Sequence, residues 1–196
     1  YMDLQFQDQM LVSSADYMDM IDRKAGALAA CAAESGALAA CADDSVCENF
    51  AQMGRNMGMA WQIARDIDDL WGEHGDGMTP SNVLNKKKSL PLVHTLETAG
   101  VSTKRELGAI YMKRVLEAQD IAKMFEILDS ANARQTAQAK ALELVDHALA
   151  GLDGRSQQGM DSLKSLGQWA AAGGRSWPNV HRTSLMRRAK GCGGGQ

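Results

Sequence analysis

Gln62, Arg65, Asp66, Asp69 and Glu73 are spaced so that an amide, a guanidinium and three carboxylates share one face of a helix. On a wheel advancing ~100° per residue with Gln62 at the origin, these five and Gly58 fall within a sector of about 100°. Ile63, Ile67, Leu70, Ala60, Ala64, Trp71 and Met57 take the opposite side, so the helix is expected to be buried over most of its circumference. Carboxylates on successive turns repel one another, and a divalent cation shared with an anionic ligand relieves the repulsion. Oxygen-only donors point to magnesium rather than zinc. An ordinary solvated stripe would carry the same pattern.

Lys24 is the second outlier. Tyr17, Met20, Ile21, Leu28 and Cys31 share its face of the wheel, whereas Asp16, Asp19, Asp22 and Arg23 lie opposite. An ammonium in an apolar stripe requires a counter-charge, snorkels along its own stem to water, or reaches an interior anion-binding cavity. The third feature is the segment from Met78 to Leu92, where Lys86-Lys87-Lys88 stand before Ser89-Leu90-Pro91 and after Gly75 and Gly77, suggesting a cationic flap. Lysine runs are usually solvated surface. Together, however, carboxylates for a metal, a cation in an apolar stripe and a cationic flap are what a metal-bridged diphosphate requires.

The elements that must position these groups read as helices. With 45% hydrophobic residues, 5% aromatics and three prolines in 196 residues, the composition excludes disorder and argues against an all-β chain. Periodicity predicts helices over 2–12, 14–42, 45–73, 88–99, 103–128, 131–152 and 157–172, with Ser14 and either Ser102 or Thr103 as helix starts. A net charge of −3 removes any global case for nucleic-acid binding. Cys31, Cys41, Cys47 and Cys192 lack metal-ligand spacing and read as free thiols of a reducing, cytoplasmic compartment. The stretch 25–42 contains Glu34 and is too weakly apolar for a stable membrane span. Glycine and basic residues take over near the end, which divides the chain into a helical body over 1–173 and a flexible tail over 174–196. Tyr1 runs directly into patterned sequence, and the expectation is that this is the later part of something longer.

Ordered short motifs carry a more specific signal. The chain resembles the trans-type isoprenyl diphosphate synthases, the polyprenyl synthetase family, over their C-terminal half to two-thirds. Asp3-Leu4-Gln5-Phe6 resembles the family segment after its Gly-Gln, and Tyr17 through Ala25 resembles its Tyr…Lys-Thr helix. Gly54 through Ile63 is similar to the helix entering the second aspartate-rich motif, with Trp61 for the usual phenylalanine. Arg65-Asp66-Ile67-Asp68-Asp69 occupies that motif, and Lys87-Lys88-Ser89-Leu90-Pro91-Leu92 matches Lys-x-Thr/Ser-Leu-Pro-Leu. The departures are Arg65 where the motif begins with aspartate, Ala25 for threonine after the helix lysine, and Lys86 for the glycine before the loop lysine.

The resemblance implies an all-α isoprenoid-synthase bundle with its N-terminal helices, and with them the first aspartate-rich motif, lying upstream of Tyr1. They would come from another part of a longer chain, a separate polypeptide or a cleaved precursor. It implies chain elongation, in which an allylic diphosphate ionises with Mg2+ and isopentenyl diphosphate attacks the cation, in a homo- or hetero-oligomer, commonly a dimer. Residue by residue, Asp66 and Asp69 would hold metal, Lys24 and Lys87 would grip diphosphate, and Gln62 would face the reacting carbons. Arg65 would contact phosphate in place of a metal ligand or pair with Asp69. A terpene cyclase of the same fold and a non-catalytic modulating subunit are the alternative readings.

Overall fold

The computed structural model describes residues 2–9, 11–72, 80–152 and 157–174. Glu73 and the 174–196 tail assignment beyond Gly174 lie outside them. The described residues form helices and no strand. In chain order these are α1 (Met2–Gln5), a 3₁₀ turn (Phe6–Asp8), α2 (Ser14–Ile21), a π-helical segment (Asp22–Gly26), α3 (Ala27–Ala39), α4 (Asp44–Trp71) and α5 (Ser81–Leu84). After these come α6 (Leu90–Thr98), α7 (Val101–Met112), α8 (Ala118–Ser130), α9 (Ala133–Ala150) and α10 (Gln157–Ala171).

The 28-residue α4 is the axis of the bundle. Its apolar side, with Ala60, Ile63 and Ile67 buried, packs on Tyr17, Ile21 and Val93 and on Ala137 and Ala141 of α9. Ala133, Ala137 and Ala141 recur every fourth residue and are each at most 1% exposed, which puts one smooth stripe of α9 into the core. A second cluster gathers Leu70 and Val83 with Leu92, Leu107, Ile110, Met124 and Leu128 under the far end of α4.

Along its other flank α4 approaches α3 almost backbone to backbone. A methyl group on Gly54 would lie 2.4 Å from the Ala29 carbonyl oxygen, and one on Gly58 2.5 Å from that of Ala25. Glycine is required at both positions by the contact, since the obstructing atoms are main chain.

Several boundaries differ from those expected. The segment predicted as one helix over 103–128 is two, separated at 113–117, because Glu117 and Asp120 form a capping box and Lys113 pairs with Asp120 at 2.7 Å. The first helix ends early, in a 3₁₀ turn. Ser13, not Ser14, starts α2 with a capping box to Asp16, while Ser14 donates to Glu97 from its amide at 2.7 Å. Helix α7 starts after Gly100 with no side-chain cap, so neither Ser102 nor Thr103 serves there.

Gly58→Ala should lower stability by about 1–3 kcal/mol through overpacking against α3. Gly36, where an added methyl meets nothing within 4 Å, provides the opposite sign: Gly36→Ala should gain up to about 1 kcal/mol from helix propensity. Denaturant midpoints of the two variants check both.

Candidate functional site

Asp66 lies on α4 with 8% of its surface exposed. A buried carboxylate must be given donors. It receives the Tyr17 hydroxyl on Oδ2 at 2.8 Å, and on Oδ1 the Gln62 amide at 3.0 Å and the Asn82 amide at 3.5 Å. The donors come from α2, α4 and α5, so this one side chain ties three elements. Burial pushes its carboxyl up to about 6, against the lowering pull of the Tyr17 and Gln62 hydrogen bonds and the Lys24 charge. Tyr17 is fully buried, and burial together with the Asp66 charge raises its phenol well above the ordinary value, which keeps it a donor. Gln62 is half-buried, and its amide nitrogen is directed at Asp66.

Asp69, one turn on, reaches the short helix α5. Its Oδ1 accepts from the Ser81 hydroxyl at 2.6 Å and its Oδ2 from the Asn82 amide N–H at 2.7 Å. Helix α5 then closes in a Schellman motif: the Lys87 N–H bonds the Asn82 carbonyl at 2.9 Å and the Lys86 N–H that of Val83 at 3.1 Å. Lys86 supplies the left-handed residue of that motif with φ 52°, a conformation that favours glycine. The Lys87 main chain is thereby fixed five residues beyond Asn82, and its side chain is half-buried. Lys88 turns inward and is 6% exposed, with its amine at 3.5 Å and 3.3 Å from the Gln7 and Lys86 carbonyl oxygens and 5.2 Å from the Tyr111 ring centre. The lysine run is therefore not a uniformly solvated flap.

Lys24 departs from the expected interior position. It is exposed, as are Leu28 and Cys31, and its amine pairs with Asp3 at 2.9 Å. The reason is the π-helical segment over Asp22–Gly26, whose wider turn rotates the chain less per residue and invalidates a 3.6-residue wheel carried through it. Lys24 nonetheless lies close enough to Asp66 for its charge to act on that carboxyl. Arg65 is half-exposed and pairs with Asp68 at 3.5 Å rather than with Asp69. Thus Asp66, Asp69 and Gln62 are brought together, with Lys24 near Asp66 and Lys87 joined to them through Asn82, while Arg65 points aside to Asp68.

An apolar groove of about 860 Å³ runs between α3, α4 and α10. Its wall includes Ala25, Gly58, Trp61 and Trp169. Trp61 is the residue before Gln62, so the groove reaches α4 about 100° round the helix from Gln62.

The donor set can accept a divalent metal. An ionised carboxylate has about four lone-pair sites, and Asp69 uses one on each oxygen, leaving each able to bind a cation. Asp66 retains capacity at Oδ2, where Tyr17 is the donor. Among the described residues no three acid, histidine or cysteine side chains form a ready cage. Two carboxylates completed by phosphate oxygens and water suit magnesium, which keeps several waters and seldom takes an all-protein cage.

Sequence reasoning missed Ser81, Asn82 and Asp3. Pro80-Ser81-Asn82 carries the helix-start pattern, but its bonding to Asp69 across twelve residues leaves no periodic trace.

The bundle sets paired acids on its longest helix against a loop that carries lysines. Residues 1–128 match the polyprenyl synthetase family, and the chain belongs to it. The geranylgeranyl diphosphate synthase of Mycobacterium tuberculosis strain H37Rv is 30% identical over 156 residues, 76% of this chain and 44% of that protein. The (2E,6E)-farnesyl diphosphate synthase of Mycobacterium bovis is 30% identical over 157 residues, 77% of this chain and 43% of that protein. The crystal structure of a Caulobacter crescentus polyprenyl synthase complexed with calcium and isoprenyl diphosphate shares the fold, with TM-score 0.78 and 24% identity over 87% of this chain and 53% of that one. The chain spans less than half the length of these two curated relatives.

The elevated Asp66 carboxyl makes stability depend on pH. With its value raised from 3.8 to about 6, the folded protein holds a proton that the unfolded chain releases in that window. Its contribution is therefore full below pH 3.8 and lost as pH rises through about 6. Measured against Asp66→Asn, wild-type stability should fall by up to about 3 kcal/mol across this interval and run parallel above it. Denaturation at stepped pH checks the difference curve.

Proposed function

We propose that this chain forms the metal-binding and diphosphate-binding part of a trans-prenyltransferase that elongates an allylic diphosphate with isopentenyl diphosphate. The observation that carries the reading is the convergence of Asp66, Asp69 and Lys87 on Asn82, with Lys24 within electrostatic reach of Asp66. Paired carboxylates with lysines on neighbouring elements suit a polyanion together with its counter-cation.

In this reading Asp66 and Asp69 hold Mg2+, which when bound neutralises diphosphate charge and promotes departure of the leaving group. Lys24 exchanges its Asp3 partner for phosphate oxygens, and Lys87 contacts them from the loop. Gln62 orients Asp66 and borders the reacting carbons. Arg65, already half-exposed, is free to swing from Asp68 to a phosphate, using its forked donors where the family places a metal ligand. The hydrocarbon tail lies in the apolar groove against Trp61, where water is excluded from the allylic cation.

Full turnover calls for the family's first aspartate-rich motif on an upstream segment, in a homo- or hetero-oligomer. Free thiols at Cys31, Cys41 and Cys47 support a cytoplasmic setting. Among the described residues no helix is long and apolar enough to cross a membrane. The altered residue Arg65 favours one second reading, a modulating subunit that binds diphosphate without turnover.

Two measurements separate these readings. Supplied with Mg2+, an upstream half from a relative and both diphosphates, the chain should yield an elongated product, and neither substrate should be consumed if it only modulates. Binding of inorganic pyrophosphate, followed by calorimetry, should weaken about tenfold or more in Lys24→Ala and in Lys87→Ala, because a charge-assisted hydrogen bond contributes roughly 1.5–3 kcal/mol. Unchanged affinity would remove that lysine from the site.

A further inference from the structure

Nothing in the metal-ligand reading assigns a task to Ser81 or Asn82, yet these two adjacent residues contact Asp66, Asp69 and the Lys87 main chain. The Ser81 hydroxyl holds Asp69 Oδ1 at 2.6 Å and the Asn82 N–H holds Oδ2 at 2.7 Å, so both oxygens are oriented from one side. The Asn82 side chain, 8% exposed as a residue, reaches Asp66 Oδ1 at 3.5 Å. Its carbonyl accepts the Lys87 N–H at 2.9 Å. One residue therefore uses its amide N–H, its carbonyl and its side chain on three different members of the site.

We infer that Ser81 and Asn82 are positioning residues for the metal-binding carboxylates, fixing the direction in which Asp66 and Asp69 present their remaining lone pairs and coupling that direction to the placement of Lys87. The inference rests on the proposed function, since it presumes that these carboxylates receive a metal. Its physical basis is that a carboxylate on an unsupported rotamer must be ordered when the cation arrives, whereas one held by two donors is ordered beforehand. The donors do not compete with the metal, because each Asp69 oxygen accepts one of them and keeps a second lone pair. Ser81 and Asn82 touch neither metal nor substrate and act through the acids they hold.

The test uses Mn2+ titrated into the full chain with inorganic pyrophosphate present, read by calorimetry and by the electron paramagnetic resonance signal of free Mn2+. Ser81→Ala and Asn82→Ala should each weaken Mn2+ binding about tenfold or more, and Ser81→Thr, which keeps the hydroxyl, should restore it. Pyrophosphate affinity measured without metal should stay within about twofold in Ser81→Ala. A purely structural role predicts the reverse pattern, a lower melting temperature with unchanged Mn2+ affinity at a temperature where the protein is folded, and that result overturns the inference. If wild-type protein takes up no Mn2+ with pyrophosphate, the proposed function falls and takes this inference with it. If wild-type binds and both alanine variants bind equally well, only the inference falls.

Discussion

A carboxylate taken out of water on the side of a long helix constrains everything that approaches it. Asp66 is stable in its position only because a phenol from α2, an amide from its own helix and an amide from α5 converge on its two oxygens. Two of the donors are fixed by packing: Tyr17 is itself fully buried, and Asn82 adjoins the fully buried Val83, the two anchors lying in separate hydrophobic clusters. The apolar core thus does more than exclude water. It delivers polar groups to one buried acid from elements far apart in sequence, and the site's geometry inherits the rigidity of that delivery.

Much of this arrangement was legible from residue order. The α4 face carrying Gln62, Asp66 and Asp69 follows from a regular 3.6-residue period, and α4 is regular from Asp44 to Trp71. The all-α class followed from composition and periodicity, and the family resemblance rested on several motifs in order. Lys24 was misplaced because periodicity holds only while the helix remains α, and the chain around it is π. The α7–α8 break was hidden for a different reason. Glu117 and Asp120 look like ordinary surface acids until their mutual capping is seen. Ser81 and Asn82 were invisible in principle, since a hydrogen bond spanning twelve residues across a loop has no local signature.

The close approach of α3 to α4 through Gly54 and Gly58 bears on the groove as well as on stability. Small residues here, among them Ala25 of the π-helical segment and Ala29 and Ala33 of α3, leave an apolar volume beside α4 that larger side chains would fill. The same residues that allow helix contact therefore keep space open beside α4. Packing and binding capacity make the same demand on side-chain size here, so the alanine-rich composition of this stretch answers to both.

The π-helical segment at Asp22–Gly26 also sets a rule for length variation. At its end and just below it, Ala25 and, on α3, Ala29 are locked to α4 by main-chain contact, and above it Tyr17 must meet Asp66. Five residues at the π pitch turn the chain about as far as four α residues at ~100° each, so loss of a single residue within the segment would let it relax to an α-helix with the flanking helices nearly in phase. The phenol would still head toward the acid it serves. Length variation is therefore absorbed at this turn, one residue at a time, while the main-chain lock and the supported carboxylate are both kept.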